Sequence, residues 1–256
     1  MTTEDDLADL VDPEPDRVLQ RGPGETGAID VYDPAGVAAA DAPLVVLVHG
    51  GFWRAEYDRR HLRALAAAIA ATGRLVALPE YRRVGDEGGG WPGTRDDVVD
   101  LVRAVPVALG RRSEEAVLVG HSAGGHLAVL VAGIVPVRAA ISLGGVLDLA
   151  AAYREGIGDG AAALLLAGDA AADPGAELIA SADPMTLPLP DCGLAVIHGE
   201  RDEEVPVAYS ARFAARDPRI RATLLPDTGH YEPIDPRTPA FAVLLDALAP
   251  SATPGP

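Results

Sequence analysis

Residues 116–127 read AVLVGHSAGGHL, and this stretch decides the fold. Its first four residues are apolar and predict a buried strand of a parallel sheet. Gly120-His121-Ser122-Ala123-Gly124 follows at once, and a helix is expected to start near Gly125. A G-x-S-x-G pentapeptide between a strand and a helix is typical of a tight turn that exposes a serine hydroxyl. A plain structural turn is the alternative, but the flanking strand and helix favour Ser122 as a nucleophile.

A serine hydroxyl needs a general base before it can act as a nucleophile at neutral pH. In folds that use this turn, the chain order is serine, then acid, then histidine. His230 is our candidate base, since it is the only histidine after His198 and follows the last predicted strand, 222–225. We expect the other histidines outside residues 49–53 to support a loop, lie exposed on a helix or flank the serine (His198, His61, His121 and His126).

The third member of such a site is an acid that orients the imidazole and stabilises its charged form. Asp202 fits this role, because it follows the predicted strand 194–197 by a few residues and precedes a predicted helix, 205–215. Nearby rivals are Glu200, Glu203 and Glu204, and Asp227 is a further alternative. Asp227 lies so close to His230 in sequence that a role in the local turn is favoured for it.

Acyl transfer also needs N–H groups that stabilise the developing oxyanion. One candidate is the backbone N–H of Ala123, directly after the serine. The second is expected in His49-Gly50-Gly51-Phe52-Trp53, which follows the third predicted strand, 44–48. We assign it to Gly51 or Phe52, because the glycines let the backbone approach a substrate closely. A glycine pair in an ordinary turn is the alternative.

Three side chains are candidates for contact with the substrate. Trp53 ends the presumed oxyanion loop, Trp91 ends the glycine-rich loop 85–91, and His121 precedes the serine. Either indole ring is expected to stack on an aromatic substrate or, alternatively, to serve as a packing residue.

Strand and helix patterns alternate along the chain, which favours one mainly parallel sheet with helices on both faces. Residues 17–249 are therefore expected to form a single α/β domain. Residues 1–16 are predicted to be an acidic arm, and residues 250–256 a loose tail. Residues 148–185 interrupt the rhythm with one helical stretch at 161–166, and we interpret them as a small lid-like insertion.

The 256-residue chain carries a formal net charge of −17 and contains no lysine. Such a surface repels phosphate backbones and anionic lipid, so neither nucleic acid nor membrane is an expected partner. One cysteine excludes an internal disulfide, and the acidic start lacks the apolar run of a secretory signal, which favours the cytoplasm. No cofactor and no metal are expected, because His121 and His126 are badly spaced as a ligand pair. The oligomeric state is open, a homo-oligomer included.

Taken together, these motifs resemble the α/β-hydrolase superfamily. The His-Gly-Gly loop is similar to that of hormone-sensitive-lipase-like esterases, and its Phe52-Trp53 ending resembles the H-G-G-x-W motif of kynurenine formamidases (arylformamidases). The resemblance implies an α/β-hydrolase fold and a serine hydrolase acting on a small ester or aryl-formamide (EC 3.1.1 or 3.5.1). Ser122, Asp202 and His230 match the triad positions. The short insertion argues against long-chain triglycerides.

Two other functions fit the same residues. An acyltransferase or cyclase of secondary metabolism would use the same acyl-enzyme but resolve it with an acceptor other than water. A binding protein with this fold would have no activity, although such proteins usually lack triad residues, and here all three positions are filled.

Overall fold

The computed structural model describes residue 2, residues 12–22 and residues 24–249. Most of the expected arm, residues 1–16, and the whole expected tail, residues 250–256, therefore lie outside the described residues.

Within the described residues, eight strands form one sheet in the order β1-β2-β4-β3-β5-β6-β7-β8. β2 runs antiparallel to both of its neighbours, and all other pairs are parallel. The strands are Arg17–Gln20 (β1), Ala28–Tyr32 (β2), Leu44–Val48 (β3), Leu75–Pro79 (β4), Ala116–His121 (β5), Ala139–Leu143 (β6), Gly193–Gly199 (β7) and Arg221–Leu225 (β8).

Helices cover both faces of this sheet. The α-helices are Arg63–Ala70 (α1), Gly93–Ala108 (α2), Ala123–Ala132 (α3), Leu149–Glu155 (α4), Ile157–Ala167 (α5), Ala176–Ala182 (α6), Val207–Ala214 (α7) and Ala240–Leu248 (α8). Short 3-10 turns lie at Glu25–Gly27, Arg59–Leu62, Ser113–Glu115 and Glu232–Ile234. None of the described helices combines the length and the hydrophobicity that a bilayer span requires.

The alternation of side chains along the strands divides the core into two layers. Leu44, Val46 and Val48 of β3 pack on one face with α2, α3, α7 and the insertion. Val45 and Leu47 pack on the other face with α1 and α8. The central strands are buried on both faces, which explains why they appear in the sequence as continuous apolar runs.

The insertion differs from the prediction. Residues 148–185 hold three helices, α4 to α6, rather than one helix at 161–166. Asp148 caps α4 by accepting a hydrogen bond from the N–H of Ala151 (2.9 Å), and Gly156 ends it in a left-handed conformation. The sequence does indicate an N-cap at Asp148 and a helix end at Gly156. The alanine-rich helices of the insertion, however, lack a clear apolar period.

Thr94 does not cap α2. Thr94 lies inside the first turn, and the helix begins at Gly93. The Thr94 hydroxyl instead accepts a hydrogen bond from the N–H of Gly90 (3.1 Å), so it fastens the preceding loop rather than the helix end.

A buried ion cluster joins β2 to the turn before α1. Asp30 is fully buried, and its two oxygens accept hydrogen bonds from Arg59 Nη2 (2.9 Å) and Arg63 Nε (2.7 Å). Both arginines are themselves buried. Because charges removed from water must be paired, this geometry fixes α1 relative to the sheet.

We expect Asp30→Asn to destabilise the fold by about 3 kcal/mol, because it leaves two buried guanidinium groups without their shared carboxylate. The measurement is urea unfolding at neutral pH. Arg112→Gln is the control, since it breaks only the exposed pair with Glu115 and should leave the midpoint unchanged. Equal midpoints for all three proteins would contradict the assigned role of Asp30.

Candidate active site

Ser122 occupies a strained turn between β5 and α3. Its backbone has φ 54° and ψ −119°, which non-glycine residues adopt only where the surroundings enforce it. Close packing of the glycines on both sides of Ser122 enforces this conformation. A methyl group at Gly120 would collide with the carbonyl oxygen of Gly124, and one at Gly124 with that of Val48. The N–H of Ser122 donates to the carbonyl of Leu143 on β6 (2.9 Å), so the turn is bonded to the sheet.

His230 and Asp202 meet although 28 residues separate them. His230 Nδ1 lies 2.7 Å from Asp202 Oδ2, and both side chains are buried. A carboxylate can only accept, so Nδ1 carries the proton. The lone pair of the neutral ring is then on Nε2, the atom that a general base uses in this arrangement.

Asp202 is held by more than His230. Its Oδ1 accepts the N–H groups of Glu204 (2.9 Å) and Val205 (2.7 Å), and its Oδ2 also lies 3.0 Å from His198 Nε2. Burial raises the pKa of this carboxyl, but the hydrogen bonds from His198 and His230 outweigh burial and bring the pKa well below its usual range. Asp202 is therefore ionised at neutral pH.

The rival acids lie elsewhere. Glu200, Glu203 and Glu204 are exposed. Asp227 is also exposed and forms an ion pair with Arg201.

His198 supports the loop after β7, as expected. Its ring bonds to the carbonyl of Val205 (2.9 Å) and the hydroxyl of Ser210 (2.6 Å). Its contact with Asp202 was missed by sequence reasoning. The only sequence signal was the four-residue separation of His198 and Asp202 at the end of one strand.

Gly144, directly after β6, lies against the acid and the base. A methyl group there would be 3.3 Å from Asp202 Oδ2 and 3.3 Å from His230 Nδ1, and its φ of 55° favours glycine. His121 approaches the same base, with 4.6 Å between the ring centroids and its Nε2 3.1 Å from the carbonyl oxygen of His230. His121 thus contacts the base rather than only lining a pocket.

The loop after β3 lies beside the serine. A methyl group at Gly50 would be 3.1 Å from Ser122 Cβ. Gly51 and Phe52 both have positive φ, 102° and 52°. Two carbonyl oxygens of this loop accept hydrogen bonds from side chains of the protein. The carbonyl of His49 accepts from the Tyr81 hydroxyl (2.8 Å), and the carbonyl of Gly50 accepts from His49 Nδ1 (2.9 Å).

The N–H groups of this region are available for another acceptor. Among the described residues, none accepts a hydrogen bond from the N–H of Gly51, Phe52 or Ala123. A backbone N–H at a helix N-terminus, such as that of Ala123, can bind an anion or a polarised carbonyl. The arrangement is chemically suited to stabilise an oxyanion next to Ser122.

Both tryptophans make packing contacts, the alternative that the sequence left open beside a contact with the substrate. Trp53 is only 2% exposed and packs edge-on against the ring of His126 (5.3 Å), which makes it a core residue. Trp91 donates from Nε1 to Ser181 Oγ (3.2 Å) and lies under the guanidinium of Arg95 (4.9 Å). It therefore joins the loop 85–91 to the insertion. Tertiary packing, which no sequence pattern reveals, decides both positions.

His61 was predicted wrongly as exposed. Its ring lies against those of His49 (5.9 Å) and His121 (6.5 Å), and Nδ1 donates to the carbonyl of Asp58 (2.6 Å). Burial, followed by the charge of His49, lowers the pKa of His61 to about 4. Burial also lowers the pKa of His121 well below its ordinary value, with the charges of His230 and His61 adding to the effect.

Solved structures with the same architecture cover nearly the whole chain. A truncated carbohydrate esterase from gut microbiota is 20% identical, with a TM-score of 0.72. The alignment covers 93% of this chain and 96% of the esterase chain. Esterase B from Lactobacillus rhamnosis is 22% identical over 93% of this chain and 86% of its own (TM-score 0.72). A putative thioesterase from a Silicibacter species is 23% identical over 94% and 89% (TM-score 0.67). The chain has an α/β-hydrolase fold, as predicted.

Two sequence relationships are more local. A family model described as BD-FAE matches residues 29–135, from β2 to just beyond α3. Kynurenine formamidase of Salmo salar is 30% identical over 113 residues, which are 43% of this chain and 36% of that protein. The match thus spans about a third of the length of this curated relative.

The histidine cluster predicts a pH dependence of stability. Between pH 5 and 6.5, unfolded His61, with an ordinary pKa of about 6.5, binds protons that the folded form, with its pKa of about 4, does not. The free energy of unfolding should therefore rise with pH in this window. Urea unfolding at pH 5.0, 5.5, 6.0 and 6.5 measures the slope, which His61→Asn should reduce. A slope that is identical in wild type and variant would contradict this origin.

Proposed function

We propose that this protein is a serine hydrolase that cleaves a small carboxylic ester or aryl-formamide through an acyl-enzyme on Ser122. One observation carries the proposal. The strained Ser122, the His230–Asp202 pair and three backbone N–H groups without an acceptor among the described residues all lie at the carboxyl edge of the same sheet. Nucleophile, base, orienting acid and oxyanion donors are the complete set that acyl transfer requires.

In this mechanism His230 Nε2 takes the proton of Ser122 Oγ as that oxygen attacks the carbonyl carbon of the substrate. The oxyanion binds the N–H of Ala123 together with that of Gly51 or Phe52. The His230 imidazolium, stabilised by Asp202, then protonates the leaving alcohol or amine. Water attacks the acyl-enzyme with His230 again as base, which restores the free serine.

The insertion supports a small acyl group. Gly158 in α5 leaves room for the ring of Phe52, with which any methyl group at that position would collide. Arg54 donates to the carbonyl of Gly158 (2.7 Å), so the non-helical segment at the start of α5 is bonded to the residue that follows the candidate oxyanion loop. A segment held this close confines the space beside the candidate donors. The relationship to a kynurenine formamidase supports an aryl-formamide as one substrate class.

The remaining features of the proposal follow from charge and composition. A net charge of −17 supports a small-molecule substrate over nucleic acid or a membrane surface. The single cysteine, which excludes an internal disulfide, supports a cytoplasmic location. The triad chemistry needs no cofactor.

Ser122→Ala should abolish both labelling by a fluorophosphonate probe and the burst of p-nitrophenol from p-nitrophenyl acetate, because both require the serine oxygen. Hydrolysis of N-formylkynurenine is measured in parallel, to compare formamide with ester. Ser113→Ala is the control: Ser113 lies before β5, at the opposite edge of the sheet, and its loss should change nothing. Normal labelling of Ser122→Ala would exclude this mechanism.

Asp202→Asn should lower kcat about 10³- to 10⁴-fold, since an amide neither holds the imidazole in the right tautomer nor stabilises its positive charge. Asp227→Asn is the matched control and should retain activity, because Asp227 is exposed and pairs with exposed Arg201. The kcat values of the two variants, measured on the same ester, decide between the acids. The reverse order of effects would identify Asp227 as the functional acid.

A further inference from the structure

His49 is a fully buried histidine at the start of the oxyanion loop, and no step above uses its side chain. Its ring stacks on that of Tyr81, with 4.3 Å between centroids and 25° between the planes. The ring of His61 meets it edge-on at 5.9 Å. These contacts fix the plane of the imidazole, so the partners of its two nitrogens are also fixed.

Both ring nitrogens of His49 face acceptors. Nε2 lies 2.7 Å from Glu80 Oε1, and Nδ1 lies 2.9 Å from the carbonyl oxygen of Gly50. A backbone carbonyl has no proton to give, so Nδ1 must donate. A neutral imidazole donates from only one nitrogen, so the second contact depends on the state of Glu80.

Glu80 is a carboxylate at neutral pH. Burial raises the pKa of this group, but the guanidinium of Arg83, whose Nη1 lies 2.7 Å from Oε1, pairs with the charged form of Glu80. Its Oε2 also accepts from the N–H and Nη1 of Arg59 (3.0 and 3.3 Å). Since Oε1 cannot donate, Nε2 of His49 must carry a proton as well.

We propose that His49 is held as a doubly protonated imidazolium and is a positioning residue that polarises the Gly50–Gly51 peptide toward the oxyanion. This inference rests on the proposed function. The carbonyl of Gly50 and the N–H of Gly51 belong to one peptide unit. A charge-assisted hydrogen bond to the carbonyl oxygen draws electrons from the amide and strengthens the N–H as a donor.

The surrounding charges are arranged to permit a cation here. Arg59 and Arg83 also approach Glu80, but each has a second carboxylate: Asp30 at 2.9 Å from Arg59 and Asp86 at 3.3 Å from Arg83. Each guanidinium therefore divides its positive charge between Glu80 and a second carboxylate. The two arginines leave negative charge on Glu80 that His49 can pair with. Neighbouring His61 is neutral at pH 7, because its pKa is about 4.

The charge would contribute to catalysis without contact with the substrate. A fixed dipole or charge that is already oriented costs no reorganisation when the oxyanion forms. Tyr81 adds geometric support, since its hydroxyl donates to the carbonyl of His49 (2.8 Å), one peptide earlier in the loop.

The protonation state is measured at pH 7 by NMR of protein labelled with ¹⁵N at histidine. We expect both nitrogens of His49 to be protonated, with the assignment made by loss of the signals in His49→Asn. His126 is the internal control. Its Nε2 donates to the carbonyl of Ala182 and its Nδ1 has no partner among the described residues, so it should show one protonated nitrogen. An unprotonated His49 nitrogen at pH 7 would overturn the proposal.

Kinetics test the consequence of the charge. Glu80→Gln should convert His49 to a singly protonated ring and lower kcat about tenfold with KM little changed, because only transition-state stabilisation is lost. Tyr81→Phe should leave the two protonated nitrogens in place. An imidazolium that persists in Glu80→Gln, or a fall in kcat without a change of protonation, would contradict the link. Should Glu80→Gln fail to fold, the wild-type spectrum still decides. Because the spectrum needs no turnover, failure of the serine mechanism in Ser122→Ala is distinguishable from failure of this proposal.

Discussion

The close approach of two backbones, at Gly124 of α3 and at the end of β3, is the constraint on which the site depends. Gly124 lies against the carbonyl oxygens of Val48 and His49, and any larger residue would collide with both. This contact brings the turn that holds Ser122 next to the loop that holds Gly51. Strain at Ser122 is tolerated because its hydrogen bond to β6 and the close packing of the neighbouring glycines hold the backbone in this conformation. The candidate nucleophile and the candidate oxyanion donors are thus placed by packing of the main chain, before any side chain contributes.

A second constraint is electrostatic. Asp30, Glu80 and Asp202 are buried carboxylates, and each accepts hydrogen bonds from at least two groups. The pKa values of Glu80 and Asp202 are held below their ordinary range because these bonds outweigh the cost of burial. Ionised carboxylates inside a protein must be fully paired, and pairing orients the partners. In this molecule the partners oriented by Glu80 and Asp202 are His49, at the start of the candidate oxyanion loop, and the candidate base His230.

Local signals in the sequence predicted most of the fold. Continuous branched apolar runs identify the central strands, since only buried parallel strands accept them on both faces. The prediction failed in residues 148–185, where alanine and glycine give no period that distinguishes a helix from a loop. It also failed for His61, because burial depends on what packs against a residue from a distant part of the chain.

The sequence by itself determined the candidate nucleophile, because a G-x-S-x-G turn between a strand and a helix is a local structure whose requirements are met within ten residues. It also ranked Asp202 and His230 through their order along the chain. Only the tertiary structure decided that these two meet at 2.7 Å, that His198 and Gly144 contact the pair, and that Glu80 and Gly50 together leave His49 two acceptors. Such contacts join residues that lie far apart in sequence, and their distances follow from how the whole sheet brings its strand ends together.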